Sequence, residues 1–334
     1  MNVWSICLFV LGLGLFLLGM HVLSHGLEKY TGERIRKLVG HLTNSIPRGI
    51  LAGTIGTAII QSSSATTVIV VGLVNSGVMT LKQSVGVIMG ANIGTTVTAQ
   101  LLRLADIKSD IWYVNILNPH IFGPYFLVAG FLLYLYIHIR NHHHRHMRKF
   151  VSIAMIGLGM IFVGMNGMEQ SVTSASNSEW LKSAFTTFRH PLIGVLVGTG
   201  VTALIQSSSA SVGILQASAS TGLISVSAAI PIIMGQNIGT CITCILAAIR
   251  ANRTAKKAAV VHLLFNIFGT ILIMPCIYIF KHFFSIASWD NPITRGEIAN
   301  FHTSFNITCT LIFMWFSGSF VKLADRIVDG KKRR

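Results

Sequence analysis

Charge is scarce in this chain, and negative charge is scarcest. Only 11% of the 334 residues are charged, with 10 Asp or Glu against 26 Lys or Arg; a soluble domain carries roughly a quarter charged residues. Pro191 to Ile249 contains no charged residue, and Gly49 to Leu102 contains one, Lys82. Uncharged runs far longer than about 18 residues exclude an ordinary soluble domain and indicate a membrane protein. The formal net charge of +16 is therefore read through the bias of basic residues towards cytoplasmic loops, and no nucleic-acid partner is expected. Cysteine is sparse too. Cys7, Cys241, Cys244, Cys276 and Cys309 all lie in apolar segments. Cys241 and Cys244 have no second pair to complete a zinc site, so they read as small residues at helix contacts. No basic residue precedes Val3–Leu18, and the first charged residue is Glu28, so no cleavable signal peptide is expected.

What the chain does have is repetition. "TAIIQSSSATT" (Thr57–Thr67) and "TALIQSSSASV" (Thr202–Val212) set a glutamine and three serines inside apolar runs, where burying polar groups is costly unless they are occupied. A shift of 145 positions superimposes the halves without a gap, and 20 of 46 positions between Gly53–Thr98 and Gly198–Thr243 are identical. The same shift lays "IMGANIGT" on "IMGQNIGT" and Gly12, Gly14 and Gly19 on Gly157, Gly159 and Gly164. The unit is duplicated.

Charge position predicts the topology. Arg48 to Lys82 encloses 33 residues, awkward for one span and too few for two with a turn. A re-entrant hairpin resolves this. Helical Gly49–Ile60 extends about 18 Å at about 1.5 Å per residue, roughly half of a hydrocarbon core of about 30 Å, so Gln61–Ser64 becomes a tip near the midplane. With hairpins at 49–76 and 191–222, spans fall near 3–23, 81–102, 111–139, 150–168, 224–249, 258–280 and 302–321, and Lys and Arg divide 20 to 6 between the two faces. The expected fold is an all-α polytopic membrane protein with an inverted-topology repeat. The first repeat covers 1–140, a basic His-rich cytoplasmic loop 141–149, the second repeat 150–281, and a last span with a basic tail 302–334. The expected location is the cell membrane, with the C-terminus cytoplasmic and the N-terminus outside. Inverted repeats with broken helices belong to secondary transporters, whose sites lie at the midplane.

Each tip is a helix, a break and a second helix. Ser62–Ser64 and Ser207–Ser209 suit the N-cap of the returning half-helix, whose free N–H groups and positive dipole end attract a phosphate-like anion. The amides of Gln61 and Gln206 add donors. No arginine or lysine stands at mid-membrane, so a dianion there calls for co-bound cations. Asn92-Ile93-Gly94-Thr95 and Asn237-Ile238-Gly239-Thr240 supply amide and hydroxyl oxygens mid-span. Asn92, Thr95, Asn237 and Thr240 are thus candidate cation or substrate positions, with helix packing by small residues as the alternative.

The paired QSSS stretches, each followed about thirty residues later by GxNIGT, resemble the sodium-dependent phosphate cotransporter family, the type II sodium/phosphate symporters. The resemblance runs from about Val3 to Phe320. It implies opposed re-entrant hairpins whose tips form the phosphate and sodium sites. Carried over, phosphate falls to Gln61, Ser62, Ser63, Ser64, Gln206, Ser207, Ser208 and Ser209, and Thr66 and Ser211 become candidate sodium ligands. No cofactor is implied; sodium is the co-transported ion. A minimal bacterial form is expected, without a PhoU-like domain and without the large extracellular loop of animal members, since the inter-repeat loop is only about His138–Phe150.

The expected function is sodium-coupled import of inorganic phosphate, not enzymatic catalysis. Alternatives are a carrier or exporter of another oxyanion such as arsenate or sulfate, and an anion channel. A serine hydrolase needs an adjacent base, and neither hairpin holds His, Asp or Glu. His262 with Asn266 and His302 with Asn306 each share a helix face; hydrogen bonding between spans is favoured over a functional role. The Asn141–His146 run reads as a solvated topogenic loop rather than a chelator.

Overall fold

The structure, a computed structural model, describes residues 3–41, 45–106, 119–139, 146–175, 178–284, 286 and 288–330. Among the described residues no β-strand forms; a single isolated bridge joins Ser225 and Pro292. The first repeat comprises α1 (Val3–His41), α2 (Ile46–Ile60), α3 (Ser63–Asn75), α4 (Leu81–Leu102) and α5 (Pro119–Ile139). The second comprises α6 (His146–Ser174), a short surface helix α7 (Glu179–Thr187), α8 (Pro191–Ile205), α9 (Ser208–Ala219), α10 (Val226–Ala248) and α11 (Arg253–Phe283). α12 (Arg295–Phe313), a 3-10 turn (Met314–Phe316) and α13 (Ser317–Asp329) follow. Seven described helical segments are long and apolar enough to cross a membrane, one at each of the seven spans expected from charge. This is an all-helical, multi-pass membrane protein.

The breaks are written in local chemistry. α2 and α8 each carry proline in their first turn, where its missing N–H costs nothing. Both end on glutamine in left-handed backbone, Gln61 at φ 58° and Gln206 at φ 57°, which stops the helix. The next residue is extended, and its hydroxyl caps the following helix: Ser62 accepts from Ala65 N–H and Ser207 from Ala210 N–H. The starts of α8, α9 and α10 follow those of α2, α3 and α4 by the same 145 positions that align the sequences.

Each incoming half-helix leans on its own repeat's long span, α2 on α4 and α8 on α10. Glycine makes the approach possible. A Cβ on Gly90 would run into Ile50 O, and one on Gly235 into Val195 O. Thr54 Oγ1 donates to Gly90 O, and its counterpart Thr199 Oγ1 to Gly235 O, both at 3.1 Å. α1 and α6, equivalent by the repeat, pack against each other through glycines. Gly12 meets Gly164, and Gly19 meets Gly157. Under the shift Gly12 becomes Gly157 and Gly19 becomes Gly164, so the contact is reciprocal. Along this seam α6 descends as α1 ascends, with Gly26 opposite Ile153. Equivalent helices therefore run antiparallel about a pseudo-two-fold axis, which is an inverted repeat.

Two elements are longer or more broken than the span boundaries suggested. α1 continues unbroken to His41, well past residue 23. The last span starts at Arg295, fixed by a capping box between Thr294 and Glu297, and breaks at Met314. α13 then folds onto the start of α11, where Lys257 Nζ lies 2.7 Å from Asp325 and 2.6 Å from Asp329. Asn141–Arg145 of the His-rich loop, residues 111–118 and the tail at 331–334 lie outside the described residues.

Candidate functional site: two helix breaks on one cavity

The two breaks meet. Ser63 Oγ lies 3.4 Å from Ser208 Oγ, and Ser64 Oγ donates to Gln206 O at 3.4 Å. Thr95 of α4 completes the junction: its Oγ1 accepts from Ser63 Oγ at 3.4 Å and lies 3.3 Å from Ser208 Oγ and 3.4 Å from Ser209 Oγ. One helical turn on, Thr98 Oγ1 donates to Gln61 Oε1 at 2.8 Å and accepts from Ser209 Oγ at 3.2 Å. All eight residues of the two QSSS stretches line one cavity of about 600 Å³, which His21 and Ser24 of α1 also bound. Among the described residues no Asp, Glu, Lys or Arg lines it.

This arrangement has a definite chemistry. The N-terminal turns of α3 and α9 both begin at the junction, so two positive dipole ends and several hydroxyls converge without a formal charge. Such a cradle favours an anion with many acceptor oxygens. The carbonyls at the ends of α2 and α8, and hydroxyl oxygens without a partner, favour a hard cation. Among the described residues no group of His, Cys, Asp and Glu is placed to hold a metal ion.

The halves differ in detail. Gln61 is buried and Gln206 exposed. Thr57 Oγ1 donates to Thr66 Oγ1 at 2.9 Å, and Thr66 Oγ1 donates to Ser62 O at 3.1 Å. Their counterparts Thr202 Oγ1 and Ser211 Oγ are buried without a hydrogen-bond partner. Ser211 and Gln236 line a small cavity of about 110 Å³, and Gln236 Oε1 is likewise buried and unpaired.

Of the candidate residues in the two Asn-Ile-Gly-Thr stretches, only Thr95 touches the tips through the hydrogen bonds described. Asn92 Nδ2 donates to Ile88 O at 2.9 Å, Asn237 Nδ2 to Ile233 O at 3.1 Å and Thr240 Oγ1 to Gln236 O at 2.9 Å, all within their own helices. The Asn237 carbonyl faces α12 instead: it accepts from Asn306 Nδ2 at 3.3 Å and lies 3.3 Å from His302 Nε2. His302 and Asn306 thus bond between helices. Both ring nitrogens of His262 are buried without a hydrogen-bond partner. Sequence reading passed over Thr57, Thr98, Thr202 and Gln236. Thr57 and Thr202 did carry a signal, since both stand in the duplicated stretch.

The family model described as Na+/Pi-cotransporter matches residues 15–170 and 163–286, and each match takes in one QSSS tip. The chain belongs to the Na+/Pi-cotransporter family. YqeW of Bacillus subtilis (strain 168), whose name states no function, is 30% identical over 95% of this chain and 96% of its own length. The Escherichia coli (strain K12) protein YjbB, whose name proposes it as an inorganic phosphate export protein, is 23% identical over 93% of this chain and 53% of its own. The Homo sapiens sodium-dependent phosphate transport protein 2B is 39% identical over 34% of this chain and 16% of its own. No solved structure matches. This is a family of transporters that move phosphate with sodium, and not a family of enzymes.

Proposed function

We propose that this chain imports inorganic phosphate with sodium ions by alternating access about the two QSSS tips. The observation that carries this reading is the junction at which Ser63 and Ser208 approach to 3.4 Å: two uncharged helix N-termini from inverted repeats share one cavity. In this reading Gln61–Ser64 and Gln206–Ser209 hold phosphate. Sodium takes the hydroxyl and carbonyl oxygens nearby, with Thr66, Thr95 and Ser211 as ligands and Asn92, Asn237 and Thr240 shaping the helices behind them. In this reading the chain sits in the cell membrane with its C-terminus in the cytoplasm and its N-terminus outside, which the division of basic residues supports.

Uptake of radiolabelled phosphate into proteoliposomes of the purified chain tests the proposal. Uptake with an inward sodium gradient and none with potassium is expected; equal uptake in both removes sodium coupling. The relative named for phosphate export supports a second reading, in which the same site works outwards. Faster sodium-dependent release than uptake under matched gradients favours it. Competition by arsenate and sulfate defines the anion.

A further inference from the structure

A second cavity stands on the far side of a buried charged node. α9 leaves the tip at Ser208, and eight residues on, about 12 Å at the helical rise, Gln216 sits fully buried. Its Nε2 donates to Ala99 O of α4 at 3.1 Å and to Arg295 O of α12 at 3.0 Å. Arg295 Nε donates back to Gln216 O at 3.4 Å, and Arg295 Nη2 pairs with Glu169 of α6 at 2.5 Å. The Arg295 side chain is only 1% exposed. These groups tie α4, α6, α9 and α12 together at one level.

Beyond them lies a vestibule of about 920 Å³, lined by Asn166, Gln170, Thr173 and Ser220 and by Glu169 and Arg295 themselves. It shares no lining residue with the tip cavity. The α1–α6 seam gives the separation. Ser171, two residues from Glu169, bonds Ser5 O, whereas the tip cavity is bounded by His21, about 24 Å further along α1 at the helical rise.

Burying an arginine is costly, and a buried ion pair is weak evidence for stability; the tip cavity uses neither residue. The pair instead joins α6 to α12 at the level of Gln216, between the tip where α9 starts and the vestibule that Glu169 and Arg295 line. We propose that Glu169 and Arg295 form the gate that closes the tip cavity towards the vestibule and separates once in each transport cycle. This rests on reading the tips as the transport site. When α6 and α12 part, Arg295 turns its charge to the vestibule, and a phosphate dianion passing there competes with Glu169 for it. That supplies a cation on the anion's route, where among the described residues neither Lys nor Arg lines the tip cavity.

The test uses the full chain with its five native cysteines replaced by alanine. Glu169→Cys with Arg295→Cys, bridged by a reducible bifunctional thiol reagent, is expected to lose sodium-dependent uptake at least tenfold and regain it on reduction. Phosphate binding in detergent stays within twofold throughout. Unchanged uptake in the bridged protein overturns the gate, and loss of binding together with uptake assigns the pair to the fold instead. A second readout needs no phosphate. Ala99→Cys, buried beneath the node, should react with a maleimide at least tenfold faster in Arg295→Ala than with the pair intact. An unchanged rate overturns the gate whatever the cargo, while failure of uptake in the unmodified chain bears on the tip site alone.

Discussion

Gln61 and Gln206 hold left-handed backbone that costs a non-glycine residue on the order of 1 kcal/mol, at the helix-ending position glycine prefers. Glutamine stands there in both copies, which points to use of the amide. Gln206→Gly is expected to leave the thermal midpoint at or above that of the parent and to lower phosphate uptake at least tenfold. Full uptake would reduce Gln206 to a helix stop. Ser63→Ala and Ser208→Ala each remove a hydroxyl from the junction. A hydrogen bond to a charged group is worth about 1.5–3 kcal/mol, so phosphate binding should weaken by about 10- to 100-fold while membrane insertion persists; unaltered binding in both variants removes the site assignment. These residues were legible because polar side chains inside an apolar run, repeated at one offset, have no cheap structural account. Thr98 was not legible. A threonine in a helix ordinarily bonds back to its own turn, and nothing in its sequence context says that it reaches Gln61. Asn237 is a mid-span candidate for cation or substrate by its motif, and nothing in that stretch signals that α12, remote along the chain, bonds its carbonyl through Asn306.

At the scale of elements, the half-helices depend on glycine contacts with the long spans. Gly90→Ala and Gly235→Ala drive a methyl into a neighbouring carbonyl, whereas Gly72 and Gly200 face open space. Overpacking typically costs about 1–3 kcal/mol, and backbone has less room to yield than a side chain. The first pair should lose most of its monodisperse protein on fluorescence-detected size exclusion after mild heating, and Gly72→Ala and Gly200→Ala should match the parent. Four equivalent profiles would show that the contact is not limiting. The duplicated breaks and seven spans were readable because hydrophobic length and turn chemistry are local. The reach of α1 to His41 was not, since Glu28, Lys29 and Glu33 end the uncharged run without ending the helix. The break between α12 and α13 also escaped notice: Lys257, Asp325 and Asp329 stabilise it only after α13 has folded back on α11.

For the whole molecule, the reciprocal glycine contact between α1 and α6 sets the repeats antiparallel, and the tips of the two repeats meet each other. In a single conformation the halves need not match, and they do not: Thr57 and Thr66 are bonded to each other, while Thr202 and Ser211 are not. In the proposed cycle, exchanging the two arrangements between the repeats gives the second state, with access reversed, as one repeat rocks against the other about the fixed site. Charge balance then limits what crosses. Among the described residues no Asp, Glu, Lys or Arg lines the tip cavity, so in the proposed cycle two sodium ions accompany a divalent phosphate and the loaded carrier moves no net charge. A third sodium would couple each cycle to the membrane potential by about 2.3 kcal/mol per 100 mV. A sodium titration of uptake in proteoliposomes at clamped potential is expected to give a Hill slope near two and rates independent of voltage. A slope near three, with uptake rising as the interior becomes negative, requires a further sodium site. The unpaired oxygens of Thr202 and Gln236, which the two-sodium reading leaves unassigned, are the first place to look for it, by asking whether Gln236→Ala returns the slope to two.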